Sequence, residues 1–119
     1  MKQVASKTGF TDYKIRPFET IAEQVRKWRE EGRSLVFTNG CFDLLHAGHV
    51  RYLQTAADFG DIFMLGLNSD TSVRKLKGPT RPIMLEADRA FLLSALEAID
   101  CVVIFNEETP ARLIETVIP

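Results

Sequence analysis

The chain is short of the features that mark a membrane-spanning, secreted or nucleic-acid-coating protein. No apolar run approaches the ~18 residues that a membrane-spanning helix needs. The opening stretch, MKQVASKTGFTDYK, lacks the apolar core of a signal peptide. Cysteine is scarce: Cys41 and Cys101 stand alone, and neither belongs to a CxxC. That excludes a disulfide scaffold and reads as two buried thiols in a reducing compartment. Net charge is −1, without the basic excess that bulk nucleic-acid binding requires. A locally basic pocket for a small anion remains compatible with this balance. There is no internal repeat and no low-complexity tract. The expectation is a cytoplasmic protein that engages neither membrane nor nucleic acid. Histidine is as scarce as cysteine, and His46 and His49 lie three apart with a glycine between them.

What is present suffices for one globular domain. The chain has 119 residues, 45% of them apolar and 26% charged, so it can bury a core and is not a disordered composition. Residues 1–16 lack periodicity and read as an irregular arm, leaving 17–119 as the domain. Phe18, Ile21, Val25 and Trp28 recur at helical spacing, and Gly32 closes that helix. SLVFT, residues 34–38, reads as a buried strand, with Asn39-Gly40 as its turn. A helix should begin near His46 or Ala47, with Val50, Leu53 and Ala57 inward and Gly60 at its end. DIFMLGL, residues 61–67, is the next apolar run, stopped by Asn68-Ser69-Asp70. Residues 71–85 are polar and basic and read as a loop with one helical turn. Residues 86–98 return to helix, with Phe91, Leu92, Ala95, Leu96 and Ile99 on one face. CVVIF, residues 101–105, is a third strand. Thr109-Pro110 then starts a last helix, with Leu113, Ile114, Val117 and Ile118 inward.

The order is α-β-α-β-α-β-α, and the strands are continuous apolar runs rather than alternating ones. That predicts a Rossmann-like, doubly wound parallel sheet in three α/β/α layers. Ligands of such sheets bind beyond the carboxyl ends of the strands, here segments 38–49, 68–81 and 105–110.

The histidine pair therefore falls on the first strand-to-helix connection, TNGCFDLLHAGH. A helix N-terminus favours an anion. Gly40 allows a sharp turn, and Gly48 lets a ligand lie close to the first helical turn. His46 and His49, three apart, share one face of that turn and can donate to one phosphoryl group. A zinc site built from Cys41, Asp43, His46 and His49 fits no common ligand spacing and gives the glycine no purpose. A purely structural pair, one ring packed and one solvated, is the remaining alternative. No acid–base dyad is evident, so the donors suit a reaction that needs alignment and charge stabilisation.

The basic stretch VRKLKGPTRP supplies Arg74, Lys75, Lys77 and Arg81 as further anion ligands. Arg89 stands on the first turns of a helix, where a cation is unfavourable unless an anion is near; that favours a phosphate partner, although neighbouring Glu86 and Asp88 could satisfy it. Thr38 and Asn39 can bond a nucleotide through side chain or backbone, and Gly40, Phe42 and Gly48 share their segment. Phe42 and Trp28 also read as core. Asn68 and Asp70 end the second strand where a ligand can reach them, although turn formation explains them as well. Asp43 reads as a structural cap of the histidine helix.

GCFDLLHAGHVRYL resembles the HxGH signature of the nucleotidyltransferase superfamily, in its cytidylyltransferase-like branch. With GLNSDTSVRKLKG, RPI, ADRAFLLSALEAID and FNEETP, the chain is similar to the adenylyltransferases of ADP-heptose synthesis. The resemblance runs from about residue 18 to the end. It implies transfer of AMP from ATP, with Mg2+, to heptose 1-phosphate, a sugar phosphate on the path to the lipopolysaccharide core. It further implies His46 and His49 on the triphosphate, Lys75 and Lys77 on phosphates, and Arg81 or Arg89 on the substrate side. A cytidylyltransferase acting on a small phosphorylated alcohol, or a nucleotide-binding module without turnover, are the alternatives. The family continues into a further strand and a Ser/Thr-rich motif, whereas this sequence stops at IETVIP. The resemblance thus implies that the C-terminal part of the usual domain is missing. It also implies a bare sheet edge and association into a homodimer.

Overall fold

The computed structural model describes residues 10–117. Its centre is strand β2, Ile62–Asn68, every residue of which is buried. β1, Leu35–Gly40, and β3, Cys101–Phe105, flank it, and both pairings are parallel. Register runs from Leu35 opposite Ile62 to Gly40 opposite Leu67, and from Met64 opposite Cys101 to Asn68 opposite Phe105. Successive side chains of a strand point to opposite faces. The apolar runs are therefore divided between two cores. Ile62, Met64, Cys101, Val103 and Phe105 pack on one side. They meet Ile21, Val25 and Trp28 of α1, Phe18–Glu30, and Leu113 and Val117 of α5, Ala111–Val117. Phe63, Leu65, Leu67 and Val102 pack on the other side. They meet Leu53 of α2, Ala47–Ala57, and Ala90 and Leu93 of α4, Glu86–Ser94. Crossovers of one hand place α2 and α4 on the same face. The expected three-layer parallel architecture is thus observed.

Several expected boundaries move. β1 continues through Asn39 and Gly40, which pair with Gly66 and Leu67 instead of turning. The stretch expected to be loop contains α3, Asp70–Lys77. Ser69 caps it by accepting from the Ser72 N–H at 3.1 Å, and Asp70 at its start and Arg74, Lys75 and Lys77 near its end complement the helix dipole. α3 carries just two apolar residues, Val73 and Leu76, and is polar overall, so its capping is the more readable signal. α4 buries Arg89, Ala90, Leu93 and Ser94, whereas Phe91 and Leu92 are exposed. The helix stops at Ser94, so Ala95, Leu96 and Ile99 do not continue its stripe.

Of the expected arm, residues 1–9 lie outside the described residues, as does Ile118 of the last helical stripe. Residues 12–14 form a 3-10 turn, and Ile15 makes a single parallel bridge to Val102 on the outer edge of β3. The outer edge of β1 carries no strand among the described residues. Among those residues no helix is long and apolar enough to cross a membrane.

Candidate active site

The sheet ends where a cavity of about 480 Å³ opens, between the β1–α2 connection and the segment that follows β2. His46 and His49 line it, and α2 explains how they are held. His46 is the N-cap: its Nδ1 accepts from the Gly48 N–H at 3.1 Å. His49 answers, its Nδ1 accepting from the His46 N–H at 3.2 Å. The two rings stack with centroids 3.8 Å apart. This is a capping box in which histidine replaces both of the usual residue types.

The caps also dictate protonation. An Nδ1 that accepts a hydrogen bond carries no proton, so each neutral ring bears its hydrogen on Nε2. Each imidazole is thereby set as a donor at Nε2. Burial, then the neighbouring His46 and Lys77, push the His49 pKa below its ordinary value and favour the neutral ring.

Gly48 serves a purpose that the sequence did not suggest. A Cβ there would stand 2.9 Å from Cε1 of His46, so the glycine makes room for the folded-back imidazole. Gly40 likewise accommodates the Phe42 ring, 2.7 Å from where its Cβ would lie. The left-handed turn falls on Phe42 itself, at φ 46°. Its ring meets His49 edge to face at 5.3 Å and lines the cavity while packing on the core. Cys41, expected to be buried, is half-buried and also lines the cavity; Cys101 is buried, and burial pushes its thiol up to about 12.

Asp43 is structural, as expected, but it caps no helix. It accepts from Arg81 Nε at 2.6 Å and from the Ile83 and Met84 N–H groups at 2.8 and 3.1 Å. Burial alone would raise its pKa, but these donors outweigh it and hold the carboxyl below its usual value. The clasp fixes the loop after α3 over the β1–α2 connection and leaves Arg81 lining the cavity, with its Nε engaged.

Lys77 lines the cavity and Lys75 does not. Residues two apart on a helix do not share a face, so α3 presents only one of these lysines to the site. Arg89 also departs from expectation. Its side chain is 0% exposed and donates to the carbonyls of Met84, Cys41 and Asn68 and to Asp70 Oδ1, all at 2.7–2.8 Å. The anion that explains a cation near this helix start is Asp70. Asp70 in turn accepts from the Glu86 N–H, while Glu86 accepts from the Asp70 N–H. Asn68 is buried and donates to Ser72 Oγ. Asn68, Asp70 and Arg89 thus lie behind the cavity and tie its parts together. Asn39 lines the cavity, but Thr38 reaches it only through a hydrogen bond to Tyr52. Sequence reasoning missed Tyr52 and Leu44; the signal for Tyr52 was its position one turn beyond His49.

Metal fits the cavity poorly. Asp43 is the one carboxylate lining it, and its oxygens are engaged by Arg81 and two backbone donors. Among the described residues no group of three or more His, Cys, Asp or Glu is arranged to hold an ion. What the wall offers is two imidazole donors, one ammonium and one guanidinium around a helix N-terminus, a setting for a polyphosphate.

The chain is also similar to known proteins. Residues 37–118 match the cytidylyltransferase-like family. The bifunctional protein HldE of Geotalea uraniireducens is 57% identical over 109 residues, which is 92% of this chain and 22% of that protein. HldE of Geobacter metallireducens is 53% identical over 121 residues, 98% of this chain and 25% of that protein. The chain thus spans no more than about a quarter of the length of these curated relatives. A solved lipopolysaccharide core biosynthesis protein from Thermoplasma volcanium GSS1 aligns at TM-score 0.65 and 29% identity. That alignment covers 74% of this chain and 70% of that one. A match of this extent settles the family: the chain belongs to the cytidylyltransferase-like proteins, and the domain it carries is a nucleotidyltransferase domain.

Proposed function

We propose that the chain transfers AMP from ATP to a sugar 1-phosphate, heptose 1-phosphate, giving ADP-heptose for the lipopolysaccharide core. An oxygen of the sugar phosphate attacks the α-phosphorus of ATP and forms the new P–O bond. The bond from the α-phosphorus to the bridging oxygen breaks, and pyrophosphate leaves with the electron pair. The acceptor is already ionised near neutral pH, so no general base is needed. The protein's part is alignment and stabilisation of charge on the phosphoryl oxygens.

One observation carries this reading: both imidazoles, each with its Nδ1 taken by a backbone N–H, line a cavity that Lys77 and Arg81 also line. Mg2+ accompanying ATP would be held by phosphate oxygens and water, since the carboxylate of the cavity is engaged. The sequence strings of the ADP-heptose branch and the likeness to a lipopolysaccharide core biosynthesis protein support the choice of sugar phosphate. The reading takes the reaction to be cytoplasmic, where ATP is supplied.

The test is pyrophosphate release from ATP or CTP with Mg2+ and heptose 1-phosphate. Release with ATP is the expected result. Release only with CTP and a phosphorylated alcohol would replace this reading with a cytidylyltransferase. Binding of ATP without release would favour a nucleotide-binding module.

A further inference from the structure

Tyr52 sits one turn beyond His49 on α2 and lines the same cavity. It is half exposed, at 51%, so it is not a core residue. Its hydroxyl is nevertheless anchored by a hydrogen bond to Thr38 Oγ1 on β1. An exposed ring held in one orientation is pre-organised for a contact, because little freedom remains to be lost on binding.

The cavity is chemically lopsided. Lys77 and Arg81 come from the segment after β2, while Asn39 and Tyr52 form the β1 side and carry no charge. A nucleoside triphosphate is lopsided in the same way, with anionic phosphates at one end and a flat heteroaromatic ring at the other. With the phosphates on the histidines and Lys77, the flat ring falls on the uncharged side. There the one aromatic surface displayed without a core role is Tyr52, since Phe42 packs on the core.

We infer that Tyr52 is the platform on which the base of the bound nucleotide stacks, with Thr38 fixing the ring. The inference rests on the triphosphate reading given above and adds the residue that receives the base. Stacking is tolerant of base identity, because every base has a π-face. Tyr52 would therefore add affinity for the nucleoside, and Asn39 beside it is the group able to tell one base edge from another.

The experiment is equilibrium binding of ATP and of inorganic tripolyphosphate to the 119-residue chain and to Tyr52→Ala, Tyr52→Phe and Thr38→Val. Stacking predicts that Tyr52→Ala weakens ATP between about 5-fold and about 150-fold and leaves tripolyphosphate within about twofold. Tyr52→Phe keeps the ring but loses the hydroxyl that Thr38 holds, so its ATP affinity should fall between those of the parent and Tyr52→Ala. Thr38→Val frees the ring and should fall between the two. Equal losses for both ligands in Tyr52→Ala would mean that the residue only props α2 against β1, and would overturn the inference. An unchanged ATP affinity in that variant would overturn it as well. A parent chain that binds tripolyphosphate as tightly as ATP would remove the base contact but leave the anion site standing. A parent chain that binds neither would overturn both readings.

Discussion

The histidines show how one residue type can serve fold and chemistry together. Each ring spends its Nδ1 on a backbone N–H and keeps Nε2–H for a ligand. Replacing either with Ala removes a cap, costing about 0.5–2 kcal/mol, and a charge-stabilising donor, costing about 10²–10³ in turnover. His49→Ala and His46→Ala should therefore lose far more rate than stability, as paired kinetics and urea unfolding would show. The pH dependence has a definite sign. The folded-state pKa of His49 is depressed, so on acidification the unfolded chain takes up its proton first. The stabilising contribution is full above about 6.5 and is lost as pH falls through the folded value. Thermal unfolding between pH 8 and 5 should show this loss in the parent and less of it in His49→Gln. Gly48→Ala places a methyl against the His46 ring. It should lower turnover by displacing that ring, and an unaltered rate would show that the ring relocates freely.

At the scale of elements, the site depends on where helices begin and which way they face. Lys75 and Lys77 read alike in the sequence, and only the helical geometry of α3 separates them. Lys77→Ala should weaken tripolyphosphate binding, and Lys75→Ala should leave it nearly unchanged; equal losses would contradict the placement of α3. Arg89 ties the ends of β1 and β2 to the start of α4 by bonds to Cys41, Asn68, Met84 and Asp70. Arg89→Lys keeps the charge but not the fork. It should destabilise the chain by about 2–4 kcal/mol, measured by urea unfolding. These ties were illegible in the sequence for a physical reason. Periodicity reports apolar faces, so a buried arginine in the stripe of α4 makes that helix look as though Phe91 and Leu92 pointed inward. The strands, by contrast, were legible because a sheet covered on both faces must be apolar at every residue. The capped start of α2 was legible as a helix start, but the histidine cap was not, because the usual cap residues are absent and Asp43 seemed to supply one.

At the scale of the molecule, two strand ends build the cavity and the third braces it. The carbonyl of Glu107, after β3, accepts from Ser72 Oγ on α3, and this links the third connection to the other two. The basic loop expected from the sequence thus resolves into one helix, one clasp at Asp43 and one cavity-lining lysine. The parallel order β1-β2-β3 leaves the outer edge of β1 open among the described residues, while Ile15 partly covers that of β3. We expect copies of the chain to associate, since unpaired edge groups pair readily. Sedimentation velocity at rising concentration should then show dimers, and a monomer throughout would refute that expectation.

The account turns on the orientation of two imidazoles, and nitrogen-15 NMR of the histidine side chains reads it directly. At pH 8 both rings should be the Nε2–H tautomer, and adding ATP should shift both Nε2 signals while Nδ1 moves little. Rings protonated on Nδ1, or Nε2 signals indifferent to saturating ATP, would contradict it.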